Sequence, residues 1–132
     1  MITQLYQIGG VLSQQNPLEL HLRAYRSNTF VAEIRVTDTG IGRVVDFTEW
    51  DNARIDVKRN VADVTPVLSF STANNPSDFV LAADKITLTK SATEMANVTG
   101  GTYQYDLILE KNTGEKFTIL RGQFKVTDNI TT

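Results

Sequence analysis

Apolar and polar residues alternate with a period of two through most of this chain, which is the spacing of strands that bury one face. "LELHLRA" places Leu18, Leu20, Leu22 and Ala24 on one side and Glu19, His21 and Arg23 on the other. After the turn-like "YRSN", the run "TFVAEIRVT" repeats the pattern with Phe30, Ala32, Ile34 and Val36 inward, and the two strands are expected to pair antiparallel. "DTGIG" breaks the alternation with glycines suited to a tight connection. "NARIDVK" then turns Ala53, Ile55 and Val57 inward against Arg54, Asp56 and Lys58.

"TPVLSFS" reads as a short strand in which Pro66 favours an edge or first-residue position, because proline has no N–H to give a ladder. "FVLAADKITLT" predicts two very short strands about a turn at Ala83 to Lys85. In "SATEMANV" the Ser91 and Glu94 spacing of a capping box predicts one short helical turn over 91–97, stopped by Gly100 and Gly101. It is expected to be a crossover and not a packed helix.

The strongest pattern is "YQYDLILEKNTGEKFTILRGQFKV". Tyr103, Tyr105, Leu107 and Leu109 share a face, and Asn112 and Gly114 in "KNTGE" suit a hairpin loop. On the return strand Phe117 and Ile119 hold one parity while Phe124 and Val126 hold the other, so a bulge or bend is expected at Gly122. Recurrent strands without a long helical period imply an all-β fold, an Ig-like antiparallel β-sandwich of about seven or eight strands. One such domain is expected over 17–132, preceded by an N-terminal arm or extra edge strand at 1–16.

Composition narrows the chemistry. With 132 residues, 41% of them apolar, the chain is long enough for one core. A formal charge of −2 and scattered Lys and Arg argue against nucleic acid as a partner. No run approaches the roughly 20 apolar residues of a membrane span, and the N-terminus lacks the basic start and apolar run of a signal peptide. There is no cysteine, so disulfides and thiolate metal sites are excluded.

His21 is the single histidine and lies on a polar strand face between Glu19 and Arg23, where a solvated role is favoured over catalysis or metal binding. Asp46, Glu49, Asp51 and Asp56 lack calcium-loop spacing and read as a salt-paired surface. Tyr103 and Tyr105 read as core, while Trp50 is the one candidate sugar platform. No catalytic, cofactor or metal residue is expected. Ile2, Leu5, Tyr6, Ile8, Val11 and Leu12 form an apolar leading segment split by glutamines and Gly9–Gly10, and are the candidate assembly contacts, by strand addition or groove filling against a neighbouring subunit.

The landmarks occur in a recognisable order: "VDFTEWDNARIDVKR", Thr93, "GTYQYDLIL", "LRGQFKV" and a terminal "NIT". This order resembles the β-sandwich domain of bacteriophage virion proteins, especially the N-terminal domain of baseplate upper proteins and tail-fibre anchoring modules. Asp46, Phe47 and Thr48 match the family's turn, although Glu49 stands where a glycine is common. Arg54 and Lys58 fall on the following strand, and Gly101, Tyr103, Tyr105, Asp106 and Leu107 match the next. Leu120, Gly122, Phe124 and Val126 complete the motif, over about residues 18–131.

The resemblance implies a non-enzymatic virion structural protein, made in the host cytoplasm and acting as an adaptor or anchoring module in a baseplate, tail-fibre attachment, neck or head decoration. Its partners would be other virion proteins and copies of itself in a symmetric oligomer, with no nucleic acid, membrane or cofactor. A fibre-anchoring relative would continue into a stalk, so the anchoring module alone is expected here. The alternative is a carbohydrate-binding module using Trp50 and the loops "TANNPSD" and "DTGIG".

Overall fold

The computed structural model describes residues 3–13 and 16–129. Two sheets face each other as an all-β sandwich. The first contains β1 (Gln4–Gly10), β4 (Phe30–Asp38), β9 (Ile86–Lys90) and β8 (Phe79–Leu81) in that order, with β5 (Arg43–Val44) also on β4. The second runs β2 (Leu18–Glu19), β11 (Lys116–Thr127), β10 (Gly101–Glu110), β6 (Asn52–Lys58), β7 (Leu68–Ser71), with β3 (Leu22–Tyr25) continuing along β11 beyond β2. A 3-10 turn at Phe47–Glu49 and the single helical turn α1 (Ala92–Ala96) complete it.

The inward positions read from the alternation form the core. Ala32, Ile34, Val36, Ile55, Val57, Leu107 and Leu109 are fully buried, and Tyr103 and Tyr105 lie inside with them. Phe30 joins the sheets, its ring centroid 5.4 Å from Phe124 and 6.0 Å from Phe70. Lys90, the ladder partner of Phe30 on β9, is buried beside it, where its Nζ lies 2.8 Å from Asp78 Oδ2, 3.5 Å from Glu94 Oε2 and 4.9 Å from the Phe70 ring centre. That pairing ties α1 and the loop before β8 to the second sheet, and supplies the partners a buried ammonium requires.

Four expectations change. The strands carrying Leu22 and Phe30 do not pair with each other: β3 pairs parallel with β11, while β4 pairs parallel with β1 and antiparallel with β9. The turn between them, with Ser27 at φ 68° and Asn28 N–H donating to the Tyr25 carbonyl at 3.2 Å, carries the chain from one sheet to the other. The sandwich is therefore mixed, with parallel pairs where β1 and β2–β3 join. Strand segments number eleven among the described residues, partly because one pleated run is broken at Leu20–His21 into β2 and β3.

The phase slip in the hairpin also lies elsewhere. Leu107 faces Leu120 and Ile108 faces Thr118, so Ile119 is the extra residue and both Ile119 and Leu120 are buried. Gly122 serves another purpose: a Cβ there would collide with the Leu20 carbonyl, coming within 2.8 Å of its carbon. Finally, α1 is one turn long and capped by Ser91, whose Oγ accepts from Glu94 N–H at 3.2 Å, yet it is packed. Met95 is fully buried and Val98 nearly so, because a single turn still directs one apolar side chain inward.

Candidate functional site

The leading segment lies at the edge of the first sheet. Residues Gln4–Gly10 pair in parallel with Ala32–Asp38, and β1's side chains alternate between half-buried and exposed. Tyr6, Ile8 and Leu12 lean against the flank of the core, whereas Leu5 is 73% and Val11 66% exposed on other surfaces. The candidate contacts therefore divide into an inward set and an outward set; Ile2 lies outside the described residues.

Polar ties hold β1 against the other sheet. Gln4 Nε2 donates to the Arg23 carbonyl at 2.9 Å, and the Tyr6 hydroxyl accepts from Arg23 N–H at 3.3 Å while donating to Gln4 Oε1. Gly10 closes the strand against Leu18, whose Cδ2 would stand 2.5 Å from an added Cβ.

Trp50 ends the 3-10 turn and is half-buried. Its ring packs against Phe117 with centroids 6.0 Å apart, and Lys111 Nζ lies 5.0 Å from its centre. These contacts fasten the β10–β11 hairpin to the turn, with Asp51 Oδ2 accepting from Asn112 N–H at 2.6 Å. The side chain thus packs against the hairpin while remaining half-exposed.

The outer face of the second sheet forms an open concavity of about 720 Å³, lined by residues of β6, β10 and β11. Asp106 stands directly opposite Asp56 on one side and Arg121 on the other. Burial raises the Asp106 carboxyl above the ordinary aspartate range and the Asp56 charge adds to this, against the opposing pull of Lys58, Arg54 and the residue's own backbone N–H. Asp56 is supported by Ser69 Oγ at 2.9 Å and lies 3.6 Å from Arg54 Nε. Among the described residues neither Asp106 nor Arg121 forms an ion pair. The outer face of the first sheet differs, with Arg35 on Asp84 at 3.2 Å and Lys85 on Glu33 at 3.3 Å.

His21 sits at the rim, in the break between β2 and β3. Its Nδ1 accepts from Gln123 N–H at 3.0 Å and its Nε2 is 3.0 Å from Glu19 Oε1, an arrangement that fits the Nε2-protonated tautomer. The ring thus satisfies a backbone donor of β11. Asp46, from the acidic run, caps the 3-10 turn by accepting from Thr48 N–H at 2.9 Å. No group of three or more His, Asp or Glu suited to a metal ion occurs among the described residues. In the sequence Asp106 stands out only as part of the matched strand motif, and its alternation with Tyr105 and Leu107 marks a polar face; its position beside Asp56 depends on strand order.

No protein-family model matches the chain, and no curated protein matches it by sequence. Among solved structures, the N-terminal domain of phage TP901-1 ORF48 is similar over 92% of this chain and 98% of its own, with a TM-score of 0.51 and 12% identity. A cysteine protease inhibitor, EhICP2, from Entamoeba histolytica aligns over 93% of this chain and 97% of its own, but its TM-score of 0.32 and 9% identity carry no argument. Over 92% of its length the chain shares its overall fold with a domain of a phage protein.

Proposed function

We propose that the chain is a structural component of a bacteriophage particle, an adaptor or anchoring module that joins neighbouring virion proteins within a symmetric assembly. The observation that carries this reading is the fold shared with the ORF48 domain over almost the whole of both chains. The matching turn at Asp46–Thr48 and the Gly101–Leu107 and Leu120–Val126 strands support it. In this reading the chain holds position and performs no catalysis. The rigid two-sheet body carries the load, and its outer surfaces and edge strands make contacts that repetition by symmetry strengthens.

Mass spectrometry of purified particles tests the proposal. The chain should be present in fixed ratio to other virion proteins, and electron microscopy should place its sandwich in the particle. Its absence from particles that assemble normally would overturn the reading.

A further inference from the structure

We propose that Lys90 and Asp78 condense into an isopeptide bond, an amide between Lys90 Nζ and Asp78 Cγ formed with loss of one water, and that Glu94 carries the protons. This is a modification within a single chain, and it stands independently of the particle reading.

The grounds lie at the end of β9. Lys90 closes that strand and, at 2% exposure, is the one buried charged residue among the described residues. Its Nζ meets two carboxylates, Asp78 Oδ2 at 2.8 Å and Glu94 Oε2 at 3.5 Å, and the Phe70 ring covers it from 4.9 Å. One carboxylate balances the ammonium, and the second is left to accept a proton from it. Opposite charges buried together give up the hydration both had in water, and condensation to an amide removes both charges.

The three side chains are held in place by their surroundings. Thr89 N–H donates to the Asp78 carbonyl and Asp78 N–H donates to the Asn75 carbonyl, each at 2.9 Å. Lys90 is fixed on the ladder opposite Phe30. Glu94 Oε1 accepts from Ser91 Oγ at 3.2 Å, which leaves Oε2 turned to Lys90. Asp78, with its side chain 18% exposed, is the acylating partner in preference to Glu94 at 50%, because it is nearer the amine and better shielded from water. Reactants held at contact distance need no encounter step.

The ammonium gives one proton to Glu94, which passes it to Asp78, so that a neutral amine faces a carboxylic acid. The amine lone pair attacks Asp78 Cγ and the C–N bond forms. Glu94 then takes a second proton from the nitrogen and returns it to the departing hydroxyl; the C–O bond breaks and water leaves. Nζ keeps one hydrogen, Glu94 ends as it began, and no other reactant enters the balance. A shallow pocket bounded by Asn75, Glu94 and Asn97 opens from this point to solvent and gives the water an exit. The bond clasps the β8–β9 hairpin at its open end and so secures β8, an edge of the first sheet.

Mass spectrometry of the purified, folded chain reads the bond directly. The protein should weigh one water less than its sequence. Trypsin should no longer cut after Lys90, and residues 60–85 and 86–111 should leave as one branched peptide whose fragments place the junction at Asp78 and Lys90. Lys90→Met, which fills the buried space without a nucleophile, and Asp78→Ala should both show the full sequence mass. Glu94→Gln changes a half-exposed side chain, so the fold is retained, and it should remain unlinked over the time in which the wild-type chain is fully linked. A folded wild-type chain of full mass that trypsin cuts normally after Lys90, or a lost water that maps to other residues, would overturn the proposal. Equal linkage in Glu94→Gln would overturn the part given to Glu94.

Discussion

β1 and β10 carry the same alternating pattern but occupy very different environments. In β10, Tyr103, Tyr105, Leu107 and Leu109 are buried, with β11 on one side and β6 on the other. In β1, the equivalent positions Tyr6 and Ile8 are half-buried, and β4 is the strand's one ladder partner. Two neighbours and a covered inner face make β10 part of the cooperative core, whereas β1, with one ladder neighbour among the described residues, buries less. Alternation therefore identifies which face of a strand turns inward, and strand order decides how much that burial contributes.

The contrast can be broken from the core side first. Phe124→Ala, on β11 opposite Tyr103, empties the space against Phe30 and should lower unfolding stability by about 4 kcal/mol in urea denaturation. Gly122→Ala should cost about 3 kcal/mol by the same measurement, since its methyl has the Leu20 backbone in its way. A neutral result would show that β2–β3 can move away from β11. Tyr105→Phe removes the hydroxyl that donates to the Leu20 carbonyl at 2.5 Å and should cost about 1 kcal/mol. Burial, with Tyr6 nearby, pushes the Tyr105 phenol well above its ordinary range and keeps that donor protonated.

Asp106→Asn sharpens the comparison at the outer face of the same strand. A carboxyl whose folded value is raised opposes folding above that value, and the penalty is relieved as pH falls through it toward the ordinary aspartate value. The substitution should therefore stabilise slightly at neutral pH, with its advantage shrinking as the wild-type carboxyl protonates; denaturation midpoints across mildly acidic pH check this. Smallest is Leu5→Ala on β1, expected to change unfolding stability by less than about 0.5 kcal/mol because the side chain is 73% exposed.

Much of the fold was legible because it rests on local rules. The inward sets of β4, β6 and β10, the Ser91 cap and the edge position of β7 all follow from period, capping chemistry and proline's missing donor. The Gly122 expectation identified a special residue but assigned the wrong cause, because the approach of Leu20 involves chain about a hundred residues away. Trp50 was ambiguous for the same reason: whether its ring is free depends on Phe117 and Lys111 across the turn. The charged concavity had no signal at all, since each of its residues is an ordinary polar-face residue until β6, β10 and β11 lie side by side.

Local chemistry thus determined that this chain would be built of strands, which side chains would enter the core, and that cysteine chemistry would play no part. Tertiary structure alone decided that β3 and β4 belong to opposite sheets, that β1 lies parallel on β4, and that Asp106 faces Asp56. Alternation is set within a few neighbouring residues, whereas pairing, register and edge position are set by which distant strands bury the most apolar surface together.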